Sequence, residues 1–283
     1  MIYEPAFDNV SAGGQTWRLA DDGDGPVVVL VHGFPDFPHS WAGISHELVR
    51  AGNRVVVPYL RGYHPVTIVP GRSYDAELQG VDLIGLLDVL GIGEAVLVGH
   101  DWGASGVYAA AAAAPTRVQG IVPIAIPHPR AISPSLGLLW RARHFISFKL
   151  PFAEARTRRR GFAYLDRLYD RWGGSWSGPA RSDALARAKT EFADPVVLRG
   201  ALDYYRALSL ARDGGSAPPI RCPGLLVAGG DDFGGDLGPY ERSRAFWDAP
   251  LDILVIDGAG HWPHREGEAR FVRELVAFVA GVN

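Results

Sequence analysis

Six short runs of β-branched and other apolar residues, bounded by Gly or Pro, punctuate this chain: Val27–Val31, Arg54–Val57, Ala95–Val98, Gly120–Ile124, Gly224–Val227 and Leu251–Ile256. Runs this short, with so little polar alternation, suit strands covered on both faces. Between several of them lie stretches with helical period, at His39–Ala51, Asp75–Leu90, Gly103–Ala114 and Arg265–Ala280. Strands buried on both faces need helices on both sides, so the alternation predicts an α/β fold with a doubly wound, mostly parallel sheet.

The alternation stops between Pro129 and Ala217. Amphipathic helical segments at Leu139–Phe148, Ala153–Trp172, Ser182–Phe192 and Asp194–Arg212 follow one another there without a convincing strand. Breaker clusters, Pro127-His128-Pro129 and Gly214-Gly215-Ser216-Ala217-Pro218-Pro219, flank the region and read as linkers out of and back into the sheet. Residues 1–128 and 218–283 are therefore expected to form one core domain and residues 129–217 a helical insert. Charge divides the same way: residues 129–217 carry 16 basic and 8 acidic side chains, the remainder 12 basic and 23 acidic. Such opposed charges either attract across an interface or steer anionic ligands. The densest basic run, Arg156-Thr157-Arg158-Arg159-Arg160, reads as a solvated helix face.

Composition excludes several classes. At 283 residues the chain can bury a sizeable core, and a net charge of −3 provides no overall field for nucleic acid or an anionic membrane. The single cysteine, Cys222, can form neither an internal disulfide nor a zinc cluster, so a cytoplasmic location is expected. The opening Met1-Ile2-Tyr3-Glu4-Pro5 lacks the pattern of a signal peptide, and the apolar runs fall far short of the roughly 18 residues a membrane span needs. No cofactor or metal is expected, and the sequence leaves the oligomeric state open.

Four strand ends carry chemistry. Gly99-His100-Asp101-Trp102-Gly103, where a strand runs into an Ala-rich helix, has the shape of the G-x-S-x-G nucleophile elbow with Asp in place of Ser. Flanking glycines permit a tight, strained turn that stands Asp101 above the sheet at a helix N-terminus, which favours a carboxylate. Taken alone, Asp101 also reads as a helix N-cap. His32-Gly33-Phe34-Pro35, after the first strand, can aim the backbone N–H of Phe34 at the same point as that of Trp102, making an oxyanion hole. The Phe34-Pro35 bond is a candidate cis peptide. Asp232 and His261 follow the last two strands, so that Asp101, Asp232 and His261 stand in the chain order nucleophile, acid, base. His264 reads as a helix-start residue, because no Cys or carboxylate lies at metal-ligand spacing. Phe34, Trp102 and Trp262 adjoin these positions and suggest an aromatic-lined pocket.

These motifs, with Pro58-Tyr59-Leu60-Arg61-Gly62-Tyr63 and Gly260-His261-Trp262, resemble the epoxide hydrolase branch of the α/β-hydrolase fold over essentially the whole chain. The resemblance implies that the insert is a helical cap, and that a small epoxide is opened through an ester on Asp101 which water activated by His261 then hydrolyses. It further implies that two cap residues protonate the opening ring. Tyr205 matches one by its place directly before Arg206. Counting seven residues back from Pro151 gives His144 for the other, where Tyr is commoner, with Phe145 beside it as a pocket residue and Tyr164 and Tyr169 as fallback donors. The chain departs from the family at Tyr59, usually Asp, and at His64-Pro65, usually Gly and small residues; both are expected to alter the loop rather than the chemistry.

Rival readings use the same residues. A dehalogenase would keep Asp101, Asp232 and His261. Haloalkane dehalogenases, however, commonly carry a halide-binding Asn where this chain has Phe34, and fluoroacetate dehalogenases carry a Trp at Phe145 and Arg at Trp102 and Ser105. A serine esterase would need a nucleophile at the elbow, whereas Ser105 lies a helical turn beyond it. A non-catalytic ligand-binding member of the fold would not need the full acid–base set.

Overall fold

The computed structural model describes residues 5–133, 143–208 and 218–282. Eight strands form one sheet: β1 (Asp8–Ala12), β2 (Gln15–Asp22), β3 (Val27–Val31), β4 (Arg54–Pro58), β5 (Ala95–His100), β6 (Val118–Ile124), β7 (Gly224–Gly229) and β8 (Leu251–Ile256). Their order is β1-β2-β4-β3-β5-β6-β7-β8, with β2 antiparallel to both β1 and β4 and every other pair parallel. All six strands read from the sequence are present. The hairpin β1–β2 is an addition, closed by Gly13 and Gly14 at φ 59° and 79°, values that suit Gly.

Strand geometry sends alternate side chains to opposite faces. Val28, Leu30, Val96, Val98, Val122 and Ile124 face one layer, against α1 (Ala42–Arg50) and the C-terminal helix Glu268–Val282. Val29, Val31, Leu97 and Ile121 face the other, against α2 (Ala76–Val89) and α3 (Trp102–Ala113). The single helix expected over Arg265–Ala280 is two, Pro263–Glu266 and Glu268–Val282, because Gly267 intervenes.

Between β6 and β7 the described residues carry a 3-10 turn at Pro129–Ala131, four α-helices and no strand: α4 (Arg143–Lys149), α5 (Ala153–Trp172), α6 (Pro179–Glu191) and α7 (Pro195–Ala207). The expected start of the first helical segment at Leu139, the expected end of the last at Arg212 and residues 214–217 of the second breaker cluster lie outside the described residues. Helix α5 is not continuous as expected: Arg160, Gly161 and Phe162 adopt left-handed φ of 54°, 61° and 64°. Like charges four residues apart at Arg156 and Arg160, followed by Gly161, weaken the helix at this point. Arg158, Arg159 and Arg160 are exposed, as a solvated face requires. No helix among the described residues is long and apolar enough to cross a membrane.

The segment after β4 fastens three parts of the molecule. Arg61 is buried and pairs with Asp82 of α2, its Nε donating to Oδ2 at 2.7 Å and its Nη2 to Oδ1. The backbone carbonyl of Arg61 accepts the Tyr204 hydroxyl from α7 at 2.9 Å. Asp82→Asn would leave the guanidinium buried without its counter-charge, so we expect a loss of about 3 kcal/mol in unfolding free energy, read from denaturant midpoints.

Candidate active site

Asp101 closes β5 and opens α3 with φ 52° and ψ −114°, a sparsely populated region for a residue with a side chain. The N-cap reading fails, since its side chain makes no cap hydrogen bond to the helix. Close approach explains the glycines around it. A Cβ on Gly103 would lie 2.4 Å from the carbonyl oxygen of Val31, and one on Gly33 would lie 2.4 Å from Asp101 Cβ and 2.8 Å from its Oδ1. Gly33 thereby lets the loop after β3 reach the carboxylate. The amide of Phe34 donates to Asp101 Oδ1 at 2.8 Å, and the Phe34-Pro35 bond is cis. Trp102 is the first residue of α3, so its amide has no acceptor within the helix.

The other carboxylate oxygen of Asp101 lies 3.5 Å from Nε2 of His261, and Nδ1 of His261 lies 3.1 Å from Oδ2 of Asp232. Asp232 follows β7 and His261 follows β8, so the four strand ends named from the sequence do meet. Burial alone would lower the His261 pKa, but the carboxylates of Asp232 and Asp101 outweigh it and raise the value to about 10. Burial acts on Asp101 in the opposite sense and is likewise outweighed, by His261 and by the Phe34 amide, so its carboxyl is held below the usual range. The resting pair is thus a carboxylate facing an imidazolium.

Above this pair lies a wall of rings from the inserted helices. Tyr205 of α7 is buried, its ring 5.0 Å from Trp102, 5.3 Å from Phe34, 5.1 Å from Phe145 and 5.8 Å from His144. Burial, and then the negative charge of Asp101, push its hydroxyl well above the ordinary tyrosine range, so it stays protonated at neutral pH. His144 of α4 is buried 4.7 Å from Trp172. Trp262 sits elsewhere: it stacks on Tyr169 at 4.5 Å and lies 5.5 Å from Trp176, at the seam between core and insert. Of the fallback donors, Tyr169 gives its hydroxyl to the Pro35 carbonyl at 3.2 Å, and Tyr164 packs on Phe148 at 5.3 Å.

Four supporting residues escaped the sequence reading. Glu266 accepts the amides of Gly260 at 2.8 Å and Trp262 at 3.0 Å, on either side of His261; burial raises its carboxyl to about 7. The carbonyl of Trp172 accepts the His261 amide at 2.7 Å, and His100 Nε2 lies 2.7 Å from the His261 carbonyl. His32 Nε2 accepts the Leu60 amide at 3.1 Å and ties the loop after β3 to the segment after β4. His32 and His100 lie inside motifs already noticed, whereas nothing local distinguishes Glu266 or Trp172.

His264 also differs from expectation. It starts a short helix as foreseen, but a carboxylate from a distant strand end joins it: donor atoms of Asp36, His100 and His264 lie within 4.8 Å of one another, all buried. Sequence spacing around His264 cannot register Asp36. Burial lowers the pKa of both imidazoles, and neutral rings add no positive charge behind His261.

The whole constellation follows the parallel sheet, and the profile of the alpha/beta hydrolase family matches residues 28–274. The chain belongs to the alpha/beta hydrolase family. Among its relatives in this family is the AB hydrolase superfamily protein YfhM of Bacillus subtilis, 31% identical, with 94% of this chain and 95% of that protein covered. Epoxide hydrolase 2 of Siraitia grosvenorii is 38% identical, with 95% and 96% covered. Among solved structures, Epoxide Hydrolase A from Mycobacterium thermoresistibile superposes with a TM-score of 0.82 at 27% identity, covering 98% of this chain and 99% of that one.

Proposed function

We propose that this member of the alpha/beta hydrolase family is an epoxide hydrolase that works through an ester on Asp101. The observation that carries the reading is a carboxylate, not a hydroxyl, at the elbow, facing a protonated Tyr205 across an aromatic pocket. Relatives across nearly the whole chain bear the name epoxide hydrolase, which supports it.

Opening of a three-membered ether needs backside attack on carbon and a proton for the departing alkoxide. Asp101 Oδ2 attacks, the carbon–oxygen bond of the ring breaks, and Tyr205 with His144 supplies the proton. Asp101 is then an uncharged ester. One of the two carboxylates that held the proton on His261 has gone, so the imidazole pKa falls; the imidazolium gives up its proton, which by way of solvent restores the spent cap donor, and the neutral ring can then take a proton from water. The hydroxide so formed adds to the carbonyl carbon of Asp101, and the oxyanion rests on the amides of Phe34 and Trp102. Collapse expels the second alkoxide, which takes the proton of the new carboxyl group, so that the diol leaves and Asp101 is again a carboxylate facing the imidazolium that Asp232 stabilises. On this reading the insert is a cap that supplies the acid, and the enzyme needs no group beyond its own side chains.

Incubation with a simple aryl epoxide tests the reading, a vicinal diol being the expected product. Tight binding without diol, or release of halide from haloacetates with epoxides untouched, would replace it with the receptor or dehalogenase alternative. Tyr205→Phe removes one of two proton donors and is expected to slow ester formation by roughly 10². Rapid-quench measurement of the first step is the check, and an unchanged rate would remove Tyr205 from the scheme.

A further inference from the structure

The imidazole of His261 is held at Nδ1 by Asp232, 3.1 Å away, but where Nε2 points depends also on the backbone that carries the ring. Gly260, His261 and Trp262 are all buried, and their three successive amides each find an acceptor. The middle amide donates to the carbonyl of Trp172, at the end of α5, at 2.7 Å. The outer two share a single side chain: Glu266 Oε2 accepts the Gly260 amide at 2.8 Å, and Oε1 accepts that of Trp262 at 3.0 Å. Only an ionised carboxylate offers two acceptor oxygens and no donor, which is what two converging amides require.

The loop has little freedom to move as a whole. A Cβ on Gly229 would lie 1.9 Å from the carbonyl oxygen of Gly260, and one on Gly260 would lie 2.0 Å from that of Trp172. The end of β7 and the insert thus clasp the loop from two sides and fix its position, whereas the tilt of its peptide planes is left to hydrogen bonds. The Trp262 amide belongs to the plane that follows His261, so a turn of that plane swings the imidazole. Glu266 closes the short helix Pro263–Glu266 and folds back over this plane.

The two chemical steps ask different things of His261. In the first, the imidazolium acts on Asp101 by charge, and a charge interaction falls only as the inverse of distance. In the second, the neutral ring must present a water molecule to the carbonyl carbon of the ester, and a misplacement of about 1 Å in such a step costs up to ~10² in rate. We propose that Glu266 is a positioning residue for hydrolysis of the Asp101 ester: by holding the amides on either side of His261, it sets the angle at which the imidazole meets that water. The step it serves is taken from the epoxide hydrolase reading, on which this inference rests.

Glu266→Gln keeps the shape of the side chain but leaves one acceptor oxygen for two amides, and Glu266→Asp keeps both oxygens on a stem one methylene shorter; thermal unfolding establishes that each variant is folded. Two measurements separate the claims. Hydrogen exchange of the peptide containing Gly260 and Trp262 reads the hold on the loop whatever reaction the site performs, and it should quicken in both variants. With an aryl epoxide, rapid-quench kinetics should show ester formation at the wild-type rate and ester decay slowed by roughly 10–10². Because kcat/KM reports only events up to ester formation, kcat and KM should fall together and leave their ratio unchanged. A variant that merely lost part of its folded population would lower kcat and kcat/KM together and leave KM alone. That second pattern, ester decay at the wild-type rate, or unchanged exchange would overturn the role given to Glu266. Faster exchange with no ester formed by any version of the protein would overturn the reaction assigned to Asp101, and with it the step that Glu266 serves, while the hold on the loop would stand.

Discussion

With His261 replaced by Gln, the protein is expected to consume one molecule of epoxide and then stall, its intact mass raised by that of the substrate. Asp101, the Phe34 amide and the ring-opening donors are all untouched by the substitution, so the first step can proceed. The second cannot, because an amide has no basic nitrogen to accept a proton from water. General-base assistance contributes roughly 10²–10⁴ in rate, and steady-state turnover should fall by that factor while the ester persists. Peptide mapping should place the added mass on the fragment containing Asp101. In the wild-type protein the ester should decay faster as pH rises through the imidazole pKa of the ester form, which must lie below the resting value of about 10 because the Asp101 charge is gone. Full turnover by the variant without any adduct would exclude the covalent route.

What the sequence disclosed, and what it concealed, follows from how local each signal is. Buried strands such as Val27–Val31 and Gly224–Gly229 announce themselves because every side chain in them must be apolar or small. The hairpin strand β1 has no such requirement: Asp8, Asn9, Ser11 and Ala12 are exposed, and only its Gly13-Gly14 turn carries a message. At the site, Asp101, Phe34 and Gly103 were legible because a steric demand is written within a few residues of each. Asp232 and His261 were legible through chain order, which the parallel topology translates into proximity. Glu266 and Asp36 were not, since a carboxylate that accepts amides or joins a histidine cluster is chosen by three-dimensional neighbours. His144 and Tyr205 occupy an intermediate position. Nothing in their own segments marks them, and only the family resemblance singled them out; the structure brings their rings to 5.8 Å of each other.

Asp101→Ala should lower kcat by ~10⁴ or more for every epoxide, a larger effect than any other substitution considered, because no other group can take its place in the bond that forms. Loss of activity alone would not distinguish a nucleophile from a carboxylate that merely orients water. The oxygen atoms distinguish them. If the diol oxygen comes from the Asp101 carboxylate, a single turnover in heavy-oxygen water with enzyme in excess leaves the label in the Asp101 peptide and the first diol unlabelled. If Asp101 acts only as a base, water adds to the epoxide directly and the label appears in that first diol. The geometry favours the former: one oxygen of Asp101 is held by the Phe34 amide at 2.8 Å, where an oxyanion on the same atom would also be held. The other faces His261 at 3.5 Å. A carboxylate kept below its ordinary pKa is also a poorer base, so the environment that disfavours proton abstraction by Asp101 leaves nucleophilic attack as its available chemistry.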